Sequence, residues 1–127
     1  MSYRDITVIP LWDSTLMATG TTLTSVAIDL GQKADKGYFS LQIFTEGSGT
    51  SVCARYTISN DGQNFLYPSG ASQIVVGTAA FHHRCGISKD GRDIVQFSPI
   101  LGARMKIQLW NSVAGTGATV TAHLAVQ

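Results

Sequence analysis

Apolar residues recur at every second position along most of this chain, which is the period of a β-strand. Val26, Ile28 and Leu30 alternate with Ala27 and Asp29, and Phe39, Leu41 and Ile43 with Ser40 and Gln42. Val52, Ala54, Tyr56 and Ile58 alternate with Cys53, Arg55 and Thr57. The same pattern returns in Met105, Ile107 and Leu109, and in Val120, Ala122, Leu124 and Val126. Shorter candidates span 73–78 and 93–98, and an extended piece runs from Asp5 to Leu11, where Pro10 limits it to a sheet edge or an arm. Turn signals separate the runs at Gly47-Ser48-Gly49, Asn60-Asp61-Gly62, Asp90-Gly91 and Gly115-Thr116-Gly117. About seven or eight short strands at this spacing predict an all-β fold, an antiparallel β-sandwich or jelly-roll-like barrel. No segment reads as a helix.

An internal repeat sharpens the picture. Phe39-Ser40-Leu41-Gln42-Ile43-Phe44 matches Met105-Lys106-Ile107-Gln108-Leu109-Trp110 as apolar, polar, aliphatic, Gln, aliphatic, aromatic. A Gly-x-Gly turn follows each block, and Val52, Ala54 and Ile58 then correspond to Val120, Ala122 and Val126, the second turn being two residues longer. Both segments read as one hairpin used twice, each burying its apolar face against the other. The alternation then points Cys53, Arg55, Thr119, Thr121 and His123 away from the core. It puts Phe44 and Trp110 on the outer face or over a sheet edge. Outward aromatics with few charges beside them suggest a contact surface, with Phe44, Trp110, Arg55 and His123 as its candidate partner-binding residues.

Composition narrows the classes. At 127 residues the chain fits one domain and is long enough to bury roughly two-thirds of its unfolded surface. Only 13% of residues are charged, about half the usual share, while 44% are hydrophobic, which excludes disorder and suggests surfaces covered by neighbouring subunits. The net charge of +1 exerts no strong pull on nucleic acid or anionic lipid. Residues 1–63 carry four basic and six acidic side chains, and residues 64–127 five and two, so the halves are −2 and +3. Arg84, Lys89, Arg92, Arg104 and Lys106 are too sparse for a nucleic-acid footprint but suit an acidic partner surface, or the acidic half of a second copy. No run approaches the length of a transmembrane helix, and the start lacks the features of a signal peptide. Synthesis in a cytoplasm with reduced Cys53 and Cys85 is therefore expected.

Candidate chemistry is thin. His82-His83-Arg84-Cys85 has metal-ligand residue types but no second paired motif, and reads as a loop with partly buried imidazoles. No nucleophile elbow occurs, and Cys85 near His83 makes a dyad only in composition. Glu46 is the sole glutamate, and the aspartates favour turns, so no paired carboxylates stand out. Asn60-Asp61-Gly62-Gln63-Asn64 is oxygen-rich but too short for a calcium loop, and a type I′ hairpin turn explains it. The Gly-x-Gly turns precede no helix and are not phosphate loops. The expectation is a non-enzyme without metal or cofactor.

The first 22 residues differ from the rest. Tyr3, Ile6, Val8, Ile9, Leu11 and Trp12 make them an apolar arm, followed by the small, polar stretch 13–22, so the arm is assigned to 1–22 and the sandwich domain to 23–127. Two courses are open to the arm: folding back as an edge strand, or reaching a neighbouring subunit to add a strand there.

From Thr15 to Phe65 the chain resembles small β-sandwich structural and decoration (cement) proteins of tailed bacteriophage virions. The resemblance rests on Thr22, Leu23, Val26, Ile28, Leu30 and Gly31, on Gly37-Tyr38-Phe39-Ser40-Leu41-Gln42, and on Tyr56-x-Ile58-Ser59-Asn60-Asp61-Gly62-x-Asn64-Phe65. It covers half the chain and consists of strand-and-turn patterns. It implies a non-enzymatic protein on the capsid surface, a homotrimer bridging major capsid subunits, with the arm residues as contacts. Similar turns occur in sugar-binding sandwiches, which implies the alternative of a tail or fibre module binding carbohydrate through Trp12, Trp110 or Tyr67.

Overall fold

The computed structural model describes residues 6–17, 22–31, 37–46, 50–67, 75–76, 79–80, 82–86, 89–90, 92–99, 102–111 and 118–127. The strands in chain order are β1 (Thr7–Met17), β2 (Thr22–Thr24), β3 (Ile28–Asp29), β4 (Phe39–Glu46), β5 (Thr50–Ser59), β6 (Val75–Val76), β7 (Ala79–Ala80), β8 (His82–Gly86), β9 (Lys89–Asp90), β10 (Arg92–Phe97), β11 (Arg104–Asn111) and β12 (Ala118–Val126). The first sheet runs β1-β12-β4-β10 and the second β2-β11-β5-β8-β9, with β3 continuing β2 along β11. β6 and β7 pair separately.

Every pairing is antiparallel, and the pairs nest: β1 with β12, β2 and β3 with β11, β4 with β10, β5 with β8. This is the winding of a jelly roll, a long antiparallel ribbon folded round into two facing sheets. Between the sheets lies a core that includes Leu41, Ile43, Val52, Met105, Ile107, Leu109, Val120 and Leu124. Strict alternation puts it there: β4 reads buried at Phe39, Leu41, Ile43 and Thr45 and open or half-buried at Ser40, Gln42, Phe44 and Glu46.

The internal repeat is present, but not as two hairpins. β4 lies in the first sheet and β5 in the second, while β11 lies in the second and β12 in the first. Each copy turns the corner between sheets, and each strand pairs with the other copy. The registers coincide: Ile43↔Ala122 matches Leu109↔Ala54, Leu41↔Leu124 matches Ile107↔Tyr56, and Phe39↔Val126 matches Met105↔Ile58. A hairpin would leave both apolar strands of one copy side by side in a single sheet. The corner gives each sheet one strand of each kind, and each copy's apolar faces then enclose the core from both sides.

Three local expectations also change, and one open choice is decided. Val26 does not alternate into the core; it is 77% exposed. Ser25 turns inward instead, its N–H donating to Ile107 O and its hydroxyl accepting from Ile107 N, so this break between β2 and β3 is bonded to β11. His82–Gly86, expected as a loop, is β8. Asn60-Asp61-Gly62 is not a type I′ turn, because only Gly62 has positive φ, at 77°. Of the two courses open to the arm, Thr7–Met17 takes the first and is the edge strand β1. Its register shifts around Trp12 and at Ser14, where φ is 47° and the N–H donates to Thr121 Oγ1. This bulge lets the consecutive residues Leu11 and Trp12 both pack on the core. Met17, which shows no pattern in the sequence, is fully buried at its end.

Candidate functional site

Because Met105, Ile107 and Leu109 point inward, their neighbours Lys106, Gln108 and Trp110 face outward on β11. Cys53, Arg55 and Thr57 do so on β5, in the cross-strand pairs Trp110↔Cys53, Gln108↔Arg55 and Lys106↔Thr57. After β5 the chain turns back at Ser59–Asn64 and returns beside it through the Ile58↔Leu66 bridge. Phe65 and Tyr67, either side of Leu66, thereby come over the same face.

The result is a stacked polar cluster. The Arg55 guanidinium lies 4.8 Å from the Tyr67 ring centroid and 4.6 Å from that of Trp110, flanked by both. Its Nε donates to Gln108 Oε1 at 2.7 Å, and the Tyr67 hydroxyl donates to the same oxygen at 2.9 Å. Gln108 Nε2 in turn donates to Thr24 Oγ1 on β2. Beside this group the Lys106 ammonium sits 4.4 Å from the Phe65 ring centroid. Thr57, the residue opposite Lys106, is 4% exposed, and its hydroxyl is buried with no hydrogen-bond partner among the described residues.

The returning turn is held by Asp61. Its Oδ1 accepts from the N–H groups of Gln63 and Asn64 and from Ser59 Oγ, and its Oδ2 from Asn64 Nδ2. These bonds, led by the Asn64 and Gln63 N–H groups, hold the carboxyl well below the usual range. The oxygen-rich motif therefore organises the loop that carries Phe65 and Tyr67. Among the described residues no three His, Cys, Asp or Glu side chains gather as a metal site.

The opposite face of the sandwich carries the repeat's other copy. There Gln42↔His123 and Phe44↔Thr121 occupy the positions of Gln108↔Arg55 and Trp110↔Cys53. The four outer-face candidates are thus not one surface: Arg55 and Trp110 share the second sheet, while Phe44 and His123 share the first. Among the arm candidates, Ile9, Leu11 and Trp12 are partly buried and pack against the chain's own core. Ile6 and Val8 are exposed at 61% and 58%. Tyr3 lies outside the described residues, as do the side chains of His82, His83, Arg84 and Cys85. Cys53 is a buried thiol outside any disulfide. It pairs with His82 while Cys85 pairs with Thr50, a separation of roughly 10 Å along the ladder, beyond disulfide reach.

No family model and no curated protein sequence matches the chain. Its fold is shared with viral capsid proteins. The crystal structure of the infectious bursal disease virus VP2 subviral particle superimposes with a TM-score of 0.53 at 12% identity, covering 95% of this chain and 32% of that one. The structure of infectious bursal disease virus Gx strain gives 0.50 at 12% identity, covering 95% and 31%. The T=1 particles derived from infectious bursal virus give 0.50 at 14%, covering 95% and 30%. This chain spans about a third of the length of those capsid chains. A viral capsid-like jelly roll is thus established, and a bacteriophage origin rests on the sequence resemblance alone.

Lys106, Gln108 and Phe65 belong to the cluster without having stood out as partner contacts. Gln108 was visible as the matched glutamine of the repeat, Lys106 among the scattered basic residues, and Phe65 as the aromatic closing the Asn-Asp-Gly motif. Their convergence depends on a loop course that periodicity does not report.

Proposed function

We propose that this chain is a non-enzymatic structural protein of a virion, and specifically a capsid decoration (cement) protein that binds and stabilises a phage head lattice. The observation that carries the reading is the jelly-roll winding that 95% of the chain shares with the VP2 subviral particle. The low charge content and the exposed apolar residues Ile6, Val8 and Ile94 on the edge strands or beside them support a surface that works by contact. In this reading the protein is a homotrimer, its partner is the major capsid protein, and many symmetry-related sites add their modest individual affinities. It takes its place on the capsid surface after synthesis in the host cytoplasm.

Immunogold electron microscopy of particles from the source lysate tests this. Label spread over heads is the expected result. Label confined to tails overturns the decoration role in favour of the tail or fibre module, and unlabelled particles overturn the virion role altogether.

A further inference from the structure

We propose that Arg55 is the anchor of a docking site for a carboxylate on an acidic protein partner, with Lys106 as its second cation. A guanidinium has five N–H donors, and among the described residues Arg55 spends only Nε, on Gln108. Its two Nη groups have no hydrogen-bond partner among the described residues. Tyr67 and Trp110 both pack against the guanidinium, and Gln108, itself fixed by Tyr67 and Thr24, holds its Nε edge. A guanidinium so ordered presents the outer fork that matches a carboxylate in a bidentate pair, and loses little freedom on binding. Lys106 stands on the same face two residues from Gln108, roughly 7 Å along the strand, and forms no ion pair within the described chain. Two cations side by side repel unless a negative group answers them. Among the described side chains, the acidic ones on this side, Asp29 and Asp61, lie at its far end near Arg104, and Asp61 is occupied by its own turn.

A protein fits this face better than a sugar or a nucleic acid. Trp, Tyr and Arg are the residues that dominate protein interfaces. Each of the three rings already has one cation against it, Arg55 for Tyr67 and Trp110 and Lys106 for Phe65, so the face presents charge beside its aromatic surface. A nucleic acid calls for a longer basic stripe. The inference rests on the virion reading for the existence of a protein partner and adds the chemistry of that partner's surface.

The test uses the Trp12→Phe protein, in which Trp110 is the one tryptophan left and reports on the stack. Its fluorescence is followed at low salt during titration with a hexaglutamate peptide, with sodium glucuronate and a hexathymidylate as comparators. Saturable binding of the peptide is expected, weakened about tenfold or more by Arg55→Lys, which keeps the charge and loses the fork, and also weakened by Lys106→Gln. Cooperative unfolding of each variant verifies that it is folded. Absence of peptide binding, unchanged affinity in Arg55→Lys, or equally tight binding of glucuronate or the oligonucleotide overturns the proposal. Peptide binding is read on the isolated protein and gold labelling on particles, so failure of this site and failure of the virion role are distinguishable.

Discussion

The guanidinium carbon of Arg55 lies 4.6 Å from the ring centroid of Trp110, diagonally across the β5–β11 ladder. The stack belongs to a network that joins β2, β11, β5 and the loop beyond β5. Arg55→Ala is expected to cost about 1–2 kcal/mol in urea unfolding, from the lost stacking and the Gln108 hydrogen bond. A double-mutant cycle with Trp110→Ala should show coupling of about 0.5–1 kcal/mol, where additive costs would mean the stack contributes nothing.

Gly102 precedes β11 with its Cα pressed against Ile58. A Cβ there would fall well inside van der Waals contact of Ile58 Cγ1, with Cδ1 3.1 Å away. Gly102→Ala is therefore expected to destabilise by about 2 kcal/mol. Adding Ile58→Ala should cost much less in that background than in the parent, which thermal unfolding of the single and double variants checks.

Thr57 buries a hydroxyl without a partner among the described residues. Valine has the same shape and no polar atom, so Thr57→Val should leave stability unchanged or raise it by about 1 kcal/mol. A loss of 1 kcal/mol or more would show that the hydroxyl is hydrogen-bonded in solution.

Asp61 makes the turn acid-sensitive. Hydrogen bonds to its charged form depress its pKa in the folded state, so its stabilising contribution is complete above the unfolded value near 4 and fades as pH falls below it. Unfolding of the parent should steepen its pH dependence below about pH 4. Asp61→Asn, which has no carboxyl to protonate, should lose part of that slope.

The first strand separates packing from contact. Trp12 packs on the core and Val8 is exposed. Trp12→Ala is expected to cost about 2 kcal/mol and Val8→Ala under about 0.5 kcal/mol. Removal of residues 1–12 takes Ile9, Leu11 and Trp12 together and should abolish cooperative unfolding. A truncated chain that unfolds as sharply as the parent would show that β1 is dispensable.

Much of this was legible in the residues. Period-two alternation assigned Leu41, Ile43, Ile107, Leu109 and Leu124 to the core, and Arg55, Gln108 and Trp110 to an outer face, because a strand has only two sides. The repeat was legible too, down to the equivalence of Gln42 and Gln108. The exposure of Val26 and the His82–Gly86 strand were not legible, since a short apolar run or a His-rich one carries no record of which neighbour it meets.

By itself, then, the sequence determined the all-β class, the sidedness of each long strand and the twofold character of the chain, all of which follow from local sterics and the spacing of apolar side chains. Only the tertiary structure decided that each repeat crosses between sheets, that β1 closes an edge instead of leaving the domain, and that Tyr67 meets Trp110 over Arg55. Those outcomes depend on which distant strands bury their faces together, and alternation is the same whether a strand's partner lies next in the chain or eighty residues away.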